Sequence, residues 1–135
     1  TVKVAEAGER VESNHIYLAP GHAHLVCRSE RTHVVIDHQS SYTASRYCPS
    51  VDAMLESVAR TYGCDGLALI FSGMGNDGLA GARALNAFAA PVFVQDMQSS
   101  VVWGMPGAIA KEGLATAIMT PTHMTDMLSR IATSS

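Results

Sequence analysis

No apolar run in this chain approaches the ~20 residues a membrane-crossing helix needs, and its first residues lack the basic-then-apolar pattern of a secretory signal. Direct membrane insertion is therefore not expected. Cysteine is sparse: Cys27, Cys48 and Cys64 are odd in number and form no C-x-x-C pair. That argues against a disulfide framework or a zinc knuckle and makes a reducing cytoplasm the expected location. Charge is scarce too, at 16% of 135 residues with a net of -3, so nothing electrostatic points to a nucleic acid partner. Repeats and low-complexity tracts are lacking. What is present is apolar surface, 47% of residues, enough for one packed domain rather than a disordered chain. Residues 1–13 are polar and open without a start methionine, so the chain reads as a piece of something longer.

Along the chain, strand-like and helix-like patterns alternate. His15-Ile16-Tyr17-Leu18 reads as a short strand closed by Pro20-Gly21. His24–Cys27 and Thr32–Ile36 read as an antiparallel hairpin around the charged turn Arg28-Ser29-Glu30-Arg31. Val51, Met54, Leu55, Val58, Ala59 and Tyr62 form one helical stripe, stopped by Gly63. A strand is expected over 66–71, a helix near 79–88, a strand at 92–94, and a helix from Pro106 to about Glu112. A brief strand at 117–119 precedes a terminal helix started by Thr120-Pro121, with Met124, Met127, Leu128 and Ile131 on its inner face. This alternation predicts an α/β domain with a largely parallel sheet and right-handed crossovers.

The most informative stretch is 66–81, where an apolar strand runs into the glycine loop Ser72-Gly73-Met74-Gly75-Asn76-Asp77-Gly78. Chemistry in α/β proteins gathers at such strand ends. Asp77 has the position of a carboxylate that orients a catalytic histidine. Equally, Asn76 or Asp77 could simply cap the helix that follows. Ser72 is the nearest hydroxyl, but it lacks the preceding glycine of a G-x-S-x-G elbow and reads as structural. The loop is not a P-loop, since no Gly-Lys-Ser/Thr follows. Gly73, Gly75 and Gly78 do fit G-x-G-x-x-G spacing, yet no acidic residue closes the next strand as a ribose ligand. A metal site could be imagined from His22 and His24 with His33 across the hairpin. With no H-E-x-x-H, cysteine pair or suitably spaced carboxylate, surface histidines are the expectation, and neither metal nor cofactor is expected.

Several blocks taken together carry a resemblance. Ile16-Tyr17-Leu18-Ala19-Pro20-Gly21 with His24-Leu25, then Pro49-Ser50-Val51-Asp52, then Ser72–Gly78, then Gln95-Asp96 and Ser99–Pro106 resemble, in order and spacing, the catalytic domain of bacterial chemotaxis protein-glutamate methylesterases (CheB) over about residues 1–131. The resemblance implies a partial doubly wound, Rossmann-like, mostly parallel sheet with an antiparallel hairpin. It implies hydrolysis of γ-glutamyl methyl esters on the cytoplasmic region of methylated chemoreceptors, with deamidation of glutamines in some members, by a Ser-His-Asp triad. Asp77 matches the triad aspartate, and the backbone N–H of Met74 matches an oxyanion-hole donor. Gly104-Met105-Pro106 is expected near the cleft. A phosphoacceptor receiver domain upstream, as in two-component signalling, is a further implication.

The departures from the family are specific. Its nucleophilic serine and its histidine lie upstream of the segment that residues 2–9 resemble, and none of His15, His22, His24, His33, His38 or His123 takes the histidine's place. Cys48 stands where the family usually has arginine. Residues 1–135 thus read as one N-terminally incomplete catalytic domain, inactive alone, with apolar faces left open to self-association or a partner segment. The alternative is a non-enzymatic receptor-binding or regulatory module of the same fold.

Overall fold

The computed structural model describes residues 1–43 and 45–133. Strands β1 (Val2–Val4) and β2 (Ile16–Leu18) pair in parallel, with Val2 opposite Ile16 and Val4 opposite Leu18. Strands β3 (His24–Glu30) and β4 (His33–Gln39) form the antiparallel hairpin. Strands β5 (Ala68–Ile70), β6 (Val92–Gln95) and β7 (Ala117–Met119) make a parallel sheet in that order. Helices α1 (Val51–Tyr62), α2 (Leu79–Ala87) and α3 (Gly104–Lys111) fill the connections, and α4 (Pro121–Thr133) follows β7. The parallel sheet, the hairpin and the alternation are those expected from the sequence.

Burial explains why these segments hold together. β6 is the central strand and is buried along its whole length, with Val92 and Val94 fully enclosed. Leu55 and Ala59 of α1, Ala82 and Leu85 of α2, and Ile109 of α3 pack with Ile70, Val92 and Val94 in one core. α1 and α2 approach closely because Gly81 has no side chain; a Cβ there would stand 2.5 Å from that of Leu55. On its other side α1 closes the edge of β3. The Cys27 N–H donates to Ser57 Oγ (3.0 Å), and the Thr61 hydroxyl donates to the Cys27 carbonyl (3.3 Å). The outer edge of β4 is covered by residues 8–11, since Gly8 N–H donates to Ile36 O and Val11 N–H to Val34 O. Both edges of the hairpin are thus engaged near their middles, which blunts them as templates for stray pairing.

Several details correct the sequence reading. β1 lies in the segment expected to be merely polar. The hairpin strands run on through Arg28, Ser29 and Glu30, and the turn is only Arg31-Thr32, with Arg31 at φ 56°. Arg28 bonds both Glu30 and Asp37 on the solvent face, so the charges belong to a strand and not to a turn. α3 starts two residues before Pro106, which still lies in the first turn, where its missing N–H costs nothing. Of the expected inner face of α4, only Met124 is buried; Leu128 and Ile131 are exposed. Val2, Val4, Ile16 and Leu18 share one face of the small sheet and are each about half exposed. Among the described residues, no strand pairs with the outer edge of β5.

Candidate active site

The glycine loop leaves β5 and is fixed before it reaches α2. Ser72 N–H donates to the buried Gln95 Oε1 at the end of β6 (2.7 Å). Ser72 Oγ donates to the Val102 carbonyl and accepts from the Val102 N–H, both at 3.0 Å. Gly73 N–H donates to Val102 O, and Met105 N–H to Gly73 O, each at 2.9 Å. Ser72 is thus a brace between the loop and the start of α3, as its sequence context indicated. Gly104 permits this contact, because a Cβ there would lie 2.8 Å from Gly73 O and 2.9 Å from Gly75 N. That places Gly104-Met105 against the loop. Gly75 adopts φ 80° and sits under the Tyr47 hydroxyl, which a Cβ would strike at 2.3 Å. The Met74 side chain is 77% exposed, and none of the described residues accepts its backbone N–H.

Asp77 does cap a helix, but not the one that follows it. α2 begins after Gly78, an N-cap residue with no side chain of its own to offer. Instead Asp77 reaches across to α1: Oδ1 accepts from Ser50 Oγ (2.9 Å) and Asp52 N–H (3.0 Å), and Oδ2 accepts from Val51 N–H (2.8 Å). Asp52, in the first turn of α1, returns the contact, its Oδ1 accepting from Gly78 N–H (2.9 Å) and Gly81 N–H (2.8 Å). Two carboxylates, each 6% exposed, therefore cap each other's helices. The structure brings Asp77 and Met74 onto the same short loop at the carboxyl end of β5, beside a cleft of about 350 Å³ lined in part by Asn76, Asp77, Asp52 and Tyr47.

Asp52 had no role in the sequence reading. A cap donated between helices has no local signature in the sequence. Burial pushes the Asp52 carboxyl above the usual range, the Gly81 N–H opposes this, and the nearby Asp77 charge adds to the rise. The folded form therefore holds its proton more tightly than the unfolded chain. The stability this contributes is complete below the ordinary aspartate value of 3.8 and is lost as pH rises through the folded pKa. Asp52→Asn keeps an oxygen for the Gly78 and Gly81 amides and removes the titration. Urea-unfolding midpoints taken from pH 3.5 to 7 should fall with rising pH in the wild type relative to Asp52→Asn; parallel profiles would refute this account.

His24 corrects another expectation. It is 3% exposed rather than a surface residue, and its Nδ1 accepts the Ser50 N–H (3.0 Å). A backbone amide can only donate, so Nδ1 carries no proton in this arrangement. His24, Ser50 and Asp77 lie together, yet not as a relay: the Ser50 hydroxyl is spent on Asp77, and His24 meets Ser50 through its backbone N–H while its ring packs edge-on against Tyr42 at 5.8 Å. Ser50 is the N-cap of α1 and its Oγ also accepts from Ala53 N–H. His33 stands at the opposite end of the hairpin from His24, paired with Glu30, so the imagined His22-His24-His33 set does not converge. No group of three potential metal ligands occurs among the described residues, and no helix among them is long and apolar enough to cross a membrane. Cys48 is exposed.

A backbone amide without an acceptor among the described residues and a buried carboxylate thus share one strand-end loop of an α/β sheet, where ligand sites of such folds gather. A family model described as CheB methylesterase matches residues 1–128, and the chain belongs to that family. It is 38% identical over 128 residues to a protein-glutamate methylesterase/protein-glutamine glutaminase of Paramagnetospirillum magneticum, covering 95% of this chain and 34% of that protein. With one from Myxococcus xanthus it shares 42% over 130 residues, covering 96% and 35%. The chain thus spans about a third of the length of these relatives. The crystal structure of the Thermotoga maritima CheB methylesterase catalytic domain superposes with a TM-score of 0.91 at 31% identity, covering 96% of this chain and 68% of that one.

Proposed function

We propose that this chain forms the aspartate and oxyanion side of a protein-glutamate methylesterase, whose substrate is a glutamyl γ-methyl ester on the cytoplasmic region of a chemoreceptor. The observation that carries this reading is the loop 72–78, which presents a Met74 N–H with no acceptor among the described residues and an Asp77 carboxylate held by three donors at the end of β5. A serine and a histidine from sequence outside this chain complete the triad. The serine oxygen attacks the ester carbonyl while the histidine takes its proton, and the Met74 N–H meets the oxygen that gains charge. Asp77 accepts the histidine's Nδ1–H and favours the imidazolium. Methanol leaves with the proton from histidine, and water, deprotonated by the same histidine, releases the glutamate. A glutamine substrate follows the same course with ammonia as leaving group. Catalysis takes place in the cytoplasm, and a receiver domain preceding this segment regulates it.

Asp77 is already engaged by α1, which favours rather than opposes this role. Three donors leave one lone-pair direction on Oδ2 for a histidine and fix the carboxylate before substrate arrives. The test is methanol release from a peptide bearing a glutamate γ-methyl ester. Full-length protein should turn it over, and the isolated 135-residue chain should not. The isolated chain should also self-associate in size-exclusion chromatography with light scattering, through the open β5 edge and the Val2, Val4, Ile16, Leu18 face. Turnover by the isolated chain would remove the need for outside residues, and a stable monomer would count against open faces. An inactive full-length protein would favour the second reading, a receptor-binding module, which the structural commitment of both Ser72 and Ser50 allows.

A further inference from the structure

The cleft above Asp77 is lined by two arginines, Arg46 and Arg83, and they differ in what they already hold. Arg83 faces Glu112 at 3.5 Å. Arg46 has no carboxylate within ion-pair distance among the described residues. Its only hydrogen bond given by the structure is from Nη2 to the Tyr47 hydroxyl (3.2 Å), and its guanidinium lies 5.3 Å from the centre of the Tyr47 ring. The cleft's own carboxylates do not neutralise it. Asp52 and Asp77 are turned into the fold, where five N–H and O–H donors occupy them.

Tyr47 ties this cation to the reacting loop. Its hydroxyl rests over Gly75, between Met74 and Asn76, so closely that no side chain could stand at that glycine. Stacking on an aromatic face restrains a guanidinium, and most of its five N–H donors stay available. The result is a restrained cation at the cleft rim, with no carboxylate partner among the described residues and with the Tyr47 side chain between it and Gly75 of the loop. A cation in that setting selects an anionic neighbour of the scissile group, because a planar carboxylate matches its donor fork.

We propose that Arg46 is a specificity residue that reads a glutamate or aspartate carboxylate flanking the methyl ester on the substrate, with Tyr47 holding it in place. This deepens the esterase reading and rests on it. The effect should appear in KM rather than kcat, since the contact exists in ground and transition states alike.

The test compares two synthetic peptides, each with one glutamate γ-methyl ester, flanked in one by glutamates and in the other by glutamines. With full-length protein, Arg46→Gln should raise KM for the glutamate-flanked peptide by roughly tenfold. KM for the glutamine-flanked peptide should move by less than about twofold, and Arg46→Lys should recover part of the loss. Equal changes for both peptides, or none, would overturn the proposal. Fluorescence anisotropy with labelled, fully unesterified versions of both peptides reads the same selectivity without turnover. If wild type hydrolyses neither peptide, the esterase reading fails by itself. Anisotropy then decides the role of Arg46: acid-selective binding abolished by Arg46→Gln supports it, and binding indifferent to flanking charge or to the substitution refutes it.

Discussion

Asp77→Asn in the full-length protein should lower kcat for the ester substrate by about three to four orders of magnitude, as loss of an orienting carboxylate does in other triads. The amide would preserve most of the fold. If its oxygen takes the Oδ1 place, it still accepts from Ser50 Oγ and Asp52 N–H, while its nitrogen meets the Val51 N–H as donor against donor. That single mismatch should cost about 1–2 kcal/mol. Asp77→Ala abandons all three donors and should cost about 3 kcal/mol or more. Measuring kcat beside urea stability for both variants separates the two roles of this residue. Should activity fall only in proportion to the unfolded fraction, Asp77 is a cap and nothing more.

Met74 offers the second large effect, with an unusual dependence on the substitution chosen. Because the proposed contribution is the backbone N–H, Met74→Ala should change kcat by no more than about threefold, the side chain being largely exposed. Met74→Pro deletes the donor and should reduce kcat on the order of 10²–10³-fold. Near-UV circular dichroism checks that the Trp103 environment, anchored by Nε1 to the Gln95 carbonyl behind the loop, is unchanged. An alanine variant as damaged as the proline one would assign the effect to the side chain.

The sequence made some of this visible and hid the rest for physical reasons. α1 declared itself through a twelve-residue stripe and Gly63, and β5 and β6 through apolar runs, because burial imposes those patterns directly. β1 is three residues with a lysine at its centre, too short for any alternation to register. Arg28, Ser29 and Glu30 read as a turn because a solvated strand face carries the same residues as a loop. The loop at 72–78 stood out, and the family resemblance singled out Asp77 and Met74 within it. What no pattern could disclose is where Asp77 points. Its donors are 25 to 27 residues upstream, and only the packing of α1 on α2 brings them within reach. His24 was misjudged for the same reason, its acceptor role being created by Ser50 arriving from 26 residues away.

The exchanged caps of α1 and α2 make a clasp, and a clasp opens on both sides at once. If α1 frays at its start, Asp77 loses three donors; if α2 frays, Asp52 loses two. Neither helix can loosen alone without stranding a buried charge of the other. The amides of Val51, Asp52, Gly78 and Gly81 should therefore show one common free energy of opening in hydrogen exchange, as one cooperative unit, despite belonging to different helices. Heat or denaturant that opens this unit would release the Asp77 carboxylate from all three of its donors at once, making the loop at 72–78 a reporter of the clasp's opening.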